Sequence, residues 1–213
     1  MQPEVSPIIF ILIGITALIS ISAFNNRILM GQLIHTPYDI KRNNQWYRLL
    51  TSGFLHADWQ HLIFNMLTFY FFAPQVFEAY HFLFDAKGIF YFLMLYLGGI
   101  VISDLPSFVK NQKNPAYASL GASGGVSAVL FAFIFLFPDV KLQLLILPIP
   151  ISGIIWGIIY LAGSFYMSQR GGGRINHSAH ITGAFFGVAY TLMLKPTLLQ
   201  NFIDGVKNIF PTH

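Results

Sequence analysis

Long apolar runs alternate with shorter polar stretches along the whole chain. Six of the runs approach the ~20 mostly apolar residues that a helix needs to cross a bilayer, at about 7–24, 57–77, 86–103, 122–137, 146–167 and 178–195. The second starts within "HADWQHLIFNMLTFYFF" and the fifth is "LPIPISGIIWGIIYLAGSFYM". Two prolines at the start of the fifth sit where missing N–H groups cost a helix least. The first run has no Lys or Arg before it and ends in Phe24-Asn25-Asn26 rather than at a small-residue cleavage site, so it reads as a retained span. The expected architecture is all-α, a six-helix polytopic bundle occupying residues 1–213 as one domain, with no internal repeat.

The connections differ in character. Residues 25–56 mix apolar and polar positions around Trp46 and Tyr47, a pattern that suits an interfacial segment partly sunk among lipid headgroups. The loop "SQRGGGRINH" carries three successive glycines and is expected to be mobile. The fourth span is short: between Ser123 and Phe137 a helix covers only ~22 Å of a ~30 Å hydrocarbon core. The preceding "NPAYASLG" must then dip inward, which irregular backbone tolerates only when shielded by protein or lining a wet cavity.

Composition agrees with the pattern. The 213 residues are 55% hydrophobic and only 9% charged, with mean hydropathy +0.61, against about 25% charged residues in a soluble domain. The excess of +4 is spread thinly over loops, so it forms no nucleic-acid footprint and fits attraction to a lipid surface. Cysteine is absent, which removes disulfides and thiolate metal sites.

Polar groups inside a membrane are costly and mark function by default. Here His56, His61 and Asn65 lie at the N-terminal end of the second span, Ser123 opens the fourth, and His180 lies near the start of the sixth. Alternating spans put these three ends on one side of the membrane, so topology alone gathers the groups at one level. His61 and Asn65, four apart, share a helix face and both can donate hydrogen bonds to a developing oxyanion. Ser123 adds its own N–H at the positive end of a helix. Gly124 and Gly183 remove bulk where the fourth and sixth spans would meet. Ser123/Ser127 and Gly183/Gly187 are small-xxx-small pairs of the kind that lets membrane helices approach closely.

Each residue also has a plain structural reading. Ser123 alone fits a packing serine or an N-cap, His180 a hydrogen bond between helices, His56 an interfacial histidine at a helix entrance, and Asn65 helix–helix glue. A metal-binding membrane protein using His56, His61, His177 and His180 is a rival, although His56 and His61, five apart, share a helix face poorly. What favours catalysis is the joint occurrence of all four groups at one membrane level.

The sequence resembles the rhomboid intramembrane serine proteases. "HADWQHLIFN" matches the family's His-x4-His-x3-Asn element at His56, His61 and Asn65, "GASG" (Gly121 to Gly124) its nucleophile element with Ser123 as the serine, and "AHITG" its base element with His180 and Gly183. "WYRLL" resembles the Trp-Arg element of the first loop at Trp46 and Arg48. One departure is Ser127, where many members carry an aromatic residue beneath the histidine. The resemblance implies a Ser123–His180 dyad, an oxyanion held by the Ser123 amide, His61 and Asn65, and supporting roles for His56, Gly121, Gly124 and Gly183. It implies no metal or organic cofactor, transmembrane proteins as substrates and the lipid bilayer as surroundings. Phe64, Trp156 and "GGGR" at 171–174 are candidates for a substrate gate. A non-catalytic relative that binds transmembrane helices is the alternative.

Orientation is contested within the sequence. The resemblance implies a bacterial inner membrane with the site opening on the extracytoplasmic side. Arg27, Lys41, Arg42, Arg48, Lys110, Lys113, Arg170 and Arg174 flank that side, against Lys87, Lys141, Lys195 and Lys207 on the other. Eight against four opposes this orientation under the positive-inside rule.

Overall fold

The structure, a computed structural model, describes residues 6–144, 147–170 and 176–209. The candidate gate segment 171–174 lies outside the described residues. Helix α1 (Pro7–Phe24) starts with proline at its first position, where no intrahelical N–H is needed. It buries Ile9, Leu12, Thr16, Ser20 and Ala23, a stripe at three- and four-residue spacing, and exposes Phe10, Ile11, Ile15 and Leu18. The long connection that follows is folded. It contains α2 (Arg27–Leu33), α3 (Pro37–Asn43) and α4 (Arg48–Thr51). Buried Arg48 ties them together, donating to the carbonyls of Gly31 and Ile34 and to the Gln45 side chain at 2.6–2.9 Å.

Helix α5 (Trp59–Phe84) is capped by Asp58, whose carboxylate accepts from the His61 amide at 2.8 Å, and continues seven residues past its expected end with Pro74 inside. A tight turn through Asp85 leads to α6 (Gly88–Asn111), which likewise outlasts its expected end at 103. By length and apolarity, α1 and the stretch Trp59–Asn111 are sufficient to cross a membrane.

Helix α7 (Ser123–Leu136) is the centre of the bundle: twelve of its fourteen residues are buried. Helix α9 (His177–Leu194) lies against it, and the two meet at Gly124 and Gly183 as expected, although the small pair Ser123/Ser127 is not the row that faces α9. A β-carbon on Gly183 would collide with the Gly124 backbone, and one on Gly187 with that of Ala128. The α7 side of this seam is therefore Gly124/Ala128, not Ser123/Ser127. A β-carbon on Gly124 would itself point into Ser103 of α6, so its small size serves the α6 contact and its carbonyl the α9 contact.

The fifth apolar run is only partly helical. Residues Lys141–Leu144 (β1) and Leu147–Ser152 (β2) form an antiparallel hairpin in the register Lys141↔Ser152, Leu142↔Ile151, Leu144↔Leu147. Helix α8 (Gly153–Arg170) begins only afterwards. Pro148 and Pro150 explain this correction to a purely all-α fold: each lacks an N–H and drives the residue before it into extended backbone. A last helix, α10 (Leu198–Ile209), was not expected. It packs Phe202 on Phe135, ring centroids 5.1 Å apart, and Gly205 on Pro138.

Candidate active site

His61 lies in the first turn of α5, Ser123 is the first residue of α7, and His180 lies in the first turn of α9. These three ends meet, and the side chains of all three, with Asn65 and His177, line one cavity of ≈ 210 Å³ whose apolar part includes Phe64, Val126 and Leu130. Trp156, the other described gate candidate, is not among its lining residues.

The segment before α7 is shielded by protein. Ser119 and Leu120 are buried, and the backbone of Ser119 exchanges two hydrogen bonds with that of His35 at 3.0 and 3.1 Å. Gly121 follows with φ +131°, which a residue with a side chain rarely adopts. A β-carbon there would also stand 2.8 Å from His61 Cε1 and 3.7 Å from Ser123 Oγ, so glycine is what lets the His61 ring come in beside the serine.

The His61 tautomer follows from its neighbours. The Ala57 amide donates to His61 Nδ1 at 3.4 Å, which leaves the ring proton on Nε2. That Nε2 is buried and has no partner among the described residues. Asn65 donates one amide hydrogen to the His61 carbonyl at 3.0 Å and retains a second. A Nε2–H and an amide N–H thus border the serine, next to the free N–H groups that every helix presents at its start.

His180 is held from α8, by residues not anticipated in the sequence. Tyr160 stacks on it with centroids 5.6 Å apart and planes 17° from parallel, and Ser164 Oγ lies 3.3 Å from its Nδ1. Tyr160 is fixed in turn by a 2.6 Å hydrogen bond between its hydroxyl and Ser127. The position that lacks an aromatic thus holds one contributed by another helix. The signal was available: Tyr160 and Ser164 are four apart and share one face of an otherwise apolar helix. Ser123 Oγ and His180 Nε2 face the same cavity without a hydrogen bond between them, and His180 Nε2 has no partner among the described residues. Catalytic hydrogen bonds are often long in substrate-free proteins and tighten with substrate.

His56 lies outside the cavity. Its Nδ1 is 2.9 Å from Ser20 Oγ, which donates to the Phe54 carbonyl, and its ring meets that of His61 edge-on at 4.8 Å. Burial, with His61 alongside, pushes its pKa down to about 3, so the ring is neutral. It backs His61. His177, at the cavity wall, packs edge-on against His180 at 5.3 Å. Among the described residues no group of three or more His, Asp or Glu is arranged to hold a metal ion.

Fold and site together define a helical membrane protein with a hydroxyl, an imidazole and oxyanion-type donors gathered at one end of its bundle. Comparison with known proteins gives the family: residues 43–197 match the Rhomboid domain. The chain belongs to the rhomboid family. It is 28% identical over 171 residues to RHOMBOID-like protein 12, mitochondrial, of Arabidopsis thaliana, covering 76% of this chain and 50% of the relative. It is 31% identical over 152 residues to Presenilin-associated rhomboid-like protein A, mitochondrial, of Danio rerio (67% and 36%). To the Putative rhomboid protease YdcA of Bacillus subtilis it is 30% identical over 94 residues (44% and 43%). The chain spans half or less of the length of these relatives.

Proposed function

We propose that this chain is an intramembrane serine endopeptidase that hydrolyses peptide bonds in or near transmembrane segments of other membrane proteins. The observation that carries this reading is the cavity shared by Ser123, His180, His61 and Asn65 at the joined starts of α5, α7 and α9. In this reading α1, α5, α6, α7, α8 and α9 are six spans of a single domain.

The chemistry uses the dyad alone. His180 donates Nδ1–H to Ser164, leaving the lone pair on Nε2. Nε2 takes the proton of Ser123 as Oγ attacks the scissile carbonyl carbon. The carbonyl π electrons move to oxygen, and the oxyanion is held by His61 Nε2–H, the Asn65 amide and the Ser123 N–H. Collapse breaks the C–N bond, and imidazolium His180 protonates the leaving amine. Water, deprotonated by His180, then attacks the acyl-enzyme and releases the acid and free Ser123. Serine–base pairs of this kind work on unrelated folds.

The test is a fluorophosphonate probe on detergent-purified protein, with Ser123→Ala and His180→Ala alongside. An adduct at Ser123 that requires His180 supports the protease. The alternative, a non-catalytic binder of transmembrane helices, predicts no adduct and no cleavage in lipid.

For location we propose a bacterial inner membrane with the cavity opening on the extracytoplasmic face. The natural chain lacks cysteine, so Lys113→Cys supplies a single reporter for an impermeant maleimide added to intact cells. Labelling supports this orientation, and protection supports the one indicated by the positive charges.

A further inference from the structure

Asp104 is a buried carboxyl group that the proposed chemistry does not use, placed near the end of α6. Its two oxygens face different parts of the chain. Oδ1 accepts from Asn176 Nδ2 at 3.1 Å, and Oδ2 accepts from Ser52 Oγ at 3.3 Å and lies 3.6 Å from His35 Nδ1.

Each partner leads to a different side of the cavity. Asn176 is the N-cap of α9, its Oδ1 accepting from the Ala179 amide, so it sets where the helix bearing His180 begins. Its Nδ2 also donates to Ser107 Oγ at 3.0 Å, and the Ser107 hydroxyl donates to the Asp104 carbonyl, which closes the contact on α6. The Ser52 carbonyl accepts from the Gly121 amide at 3.0 Å, two residues before Ser123. His35 pairs with Ser119 through both backbone bonds and a 3.0 Å side-chain contact. A single carboxyl group therefore joins the start of α9 to the segment that carries Gly121 and Ser123.

From this arrangement we infer that Asp104 is a positioning residue, a clasp that sets the Gly121–Ser123 segment and the start of α9 at their working separation. The inference rests on the protease reading for its kinetic consequence, and on hydrogen bonding alone for its structural one. Replacing Asp104 by Asn turns one acceptor oxygen into a donor, which either opposes Asn176 Nδ2 or obliges the Ser52 hydroxyl to turn and accept instead of donating. Replacing Asn176 by Asp preserves the α9 cap but sets two carboxyl groups against each other. Exchanging the two residues restores one donor and one acceptor between positions 104 and 176.

The test compares Asp104→Asn, Asn176→Asp and the double exchange with wild type. Cleavage kinetics are measured alongside amide hydrogen exchange at Gly121 and Ala179. Misplacement of catalytic groups by ~1 Å can cost up to ~10²-fold, so each single variant is expected to lose about tenfold or more in kcat with KM within about twofold. Both amides should exchange faster in the singles. The double exchange should recover rate and protection together, which a merely destabilising substitution would not produce. Wild-type kcat in either folded single variant, or a folded double variant no better than the singles, overturns the clasp. Should Asp104→Asn fail to fold, Asn176→Asp and the double exchange decide by the same criteria. If wild-type protein neither cleaves nor labels, the protease reading fails, and the exchange pattern alone supports or overturns the clasp.

Discussion

Tyr160 of α8 lies face to face with His180 of α9, the ring planes only 17° from parallel. In the proposed reaction the imidazole accepts a proton at Nε2 and loses it again, which needs a fixed plane, and a stacked ring supplies one without competing for either nitrogen. Because Tyr160 and Ser164 both belong to α8, the orientation of His180 depends on a helix that carries neither Ser123 nor His180. Ser127 explains how the stack is held, since its hydroxyl fixes Tyr160 at 2.6 Å.

Tyr160→Phe keeps the stack and loses the Ser127 bond, and Tyr160→Ala loses both. Phenylalanine should retain turnover within about threefold, whereas alanine should lower kcat by roughly 10- to 100-fold, the scale of a misplaced catalytic group. KM should change little in either. Steady-state cleavage and the rate of fluorophosphonate labelling at Ser123 check this independently. Equal losses in both variants would mean that the hydroxyl, not the ring, matters.

The proposed oxyanion donors give a second expectation. Removing one such donor costs about 10²–10³-fold in kcat, and Asn65→Ala and His61→Ala should each fall in that range with KM nearly unchanged. Ala57→Pro removes the amide that donates to His61 Nδ1 and leaves the donor side chains in place. It should lower kcat because the ring proton is then free to move to Nδ1. A rate equal to wild type in a folded Ala57→Pro variant would sink the tautomer argument.

Two glycines should fail in different ways. Gly183→Ala forces α9 away from the Gly124 backbone and should destabilise by about 1–3 kcal/mol, as overpacking does. Gly121→Ala combines a φ of +131° with a methyl group between His61 and Ser123. Its loss of labelling rate should exceed what its melting temperature accounts for. Thermal unfolding in detergent beside labelling kinetics separates them, and a Gly121→Ala variant whose two losses scale together would contradict the local reading.

Much of this site was legible in the sequence because topology does the gathering. Once the apolar runs are spaced as they are, the starts of α5, α7 and α9 fall together, and His61, Asn65, Ser123 and His180 stand at those starts. Gly183 and Gly124 were legible as a close-approach pair, but the small pair Ser123/Ser127 is not the row of α7 that faces α9, because spacing does not say which of two adjacent small residues faces the neighbour. The run "LPIPIS" is apolar in either conformation, so hydropathy assigned it to a helix although its prolines favour a strand. Tyr160 and Ser164 were overlooked because an aromatic residue and a serine are unremarkable on an apolar helix until a histidine is placed opposite. Asp104 lies one residue beyond the expected end of its span, where an acid reads as a solvated terminus. Its three partners, His35, Ser52 and Asn176, come from segments that only tertiary folding brings near it.

Acid should unfold this protein through buried neutral histidines. Both lie before α5, in the connection that follows α1. Burial lowers the pKa of His35 from 6.5 to about 4, and burial with His61 nearby lowers that of His56 to about 3. Below 6.5 the unfolded chain binds protons that the folded chain refuses, so stability from these two rings is fully present above that pH. It falls as the pH drops toward 4 and then 3, by at most ~1.4 kcal/mol per pH unit for each ring. Their contribution to the melting temperature in detergent should be constant from pH 8 to about 7 and shrink below that, and it is read as the difference between wild type and the variants that follow. His35→Asn keeps a donor near the Nδ1 position and removes one titrating ring, so its decline between pH 6.5 and 5 should be shallower than that of wild type. His56→Asn should be shallower still toward pH 4. If both variants lose stability along the wild-type curve, the acid sensitivity belongs to other groups and these histidines do not control it.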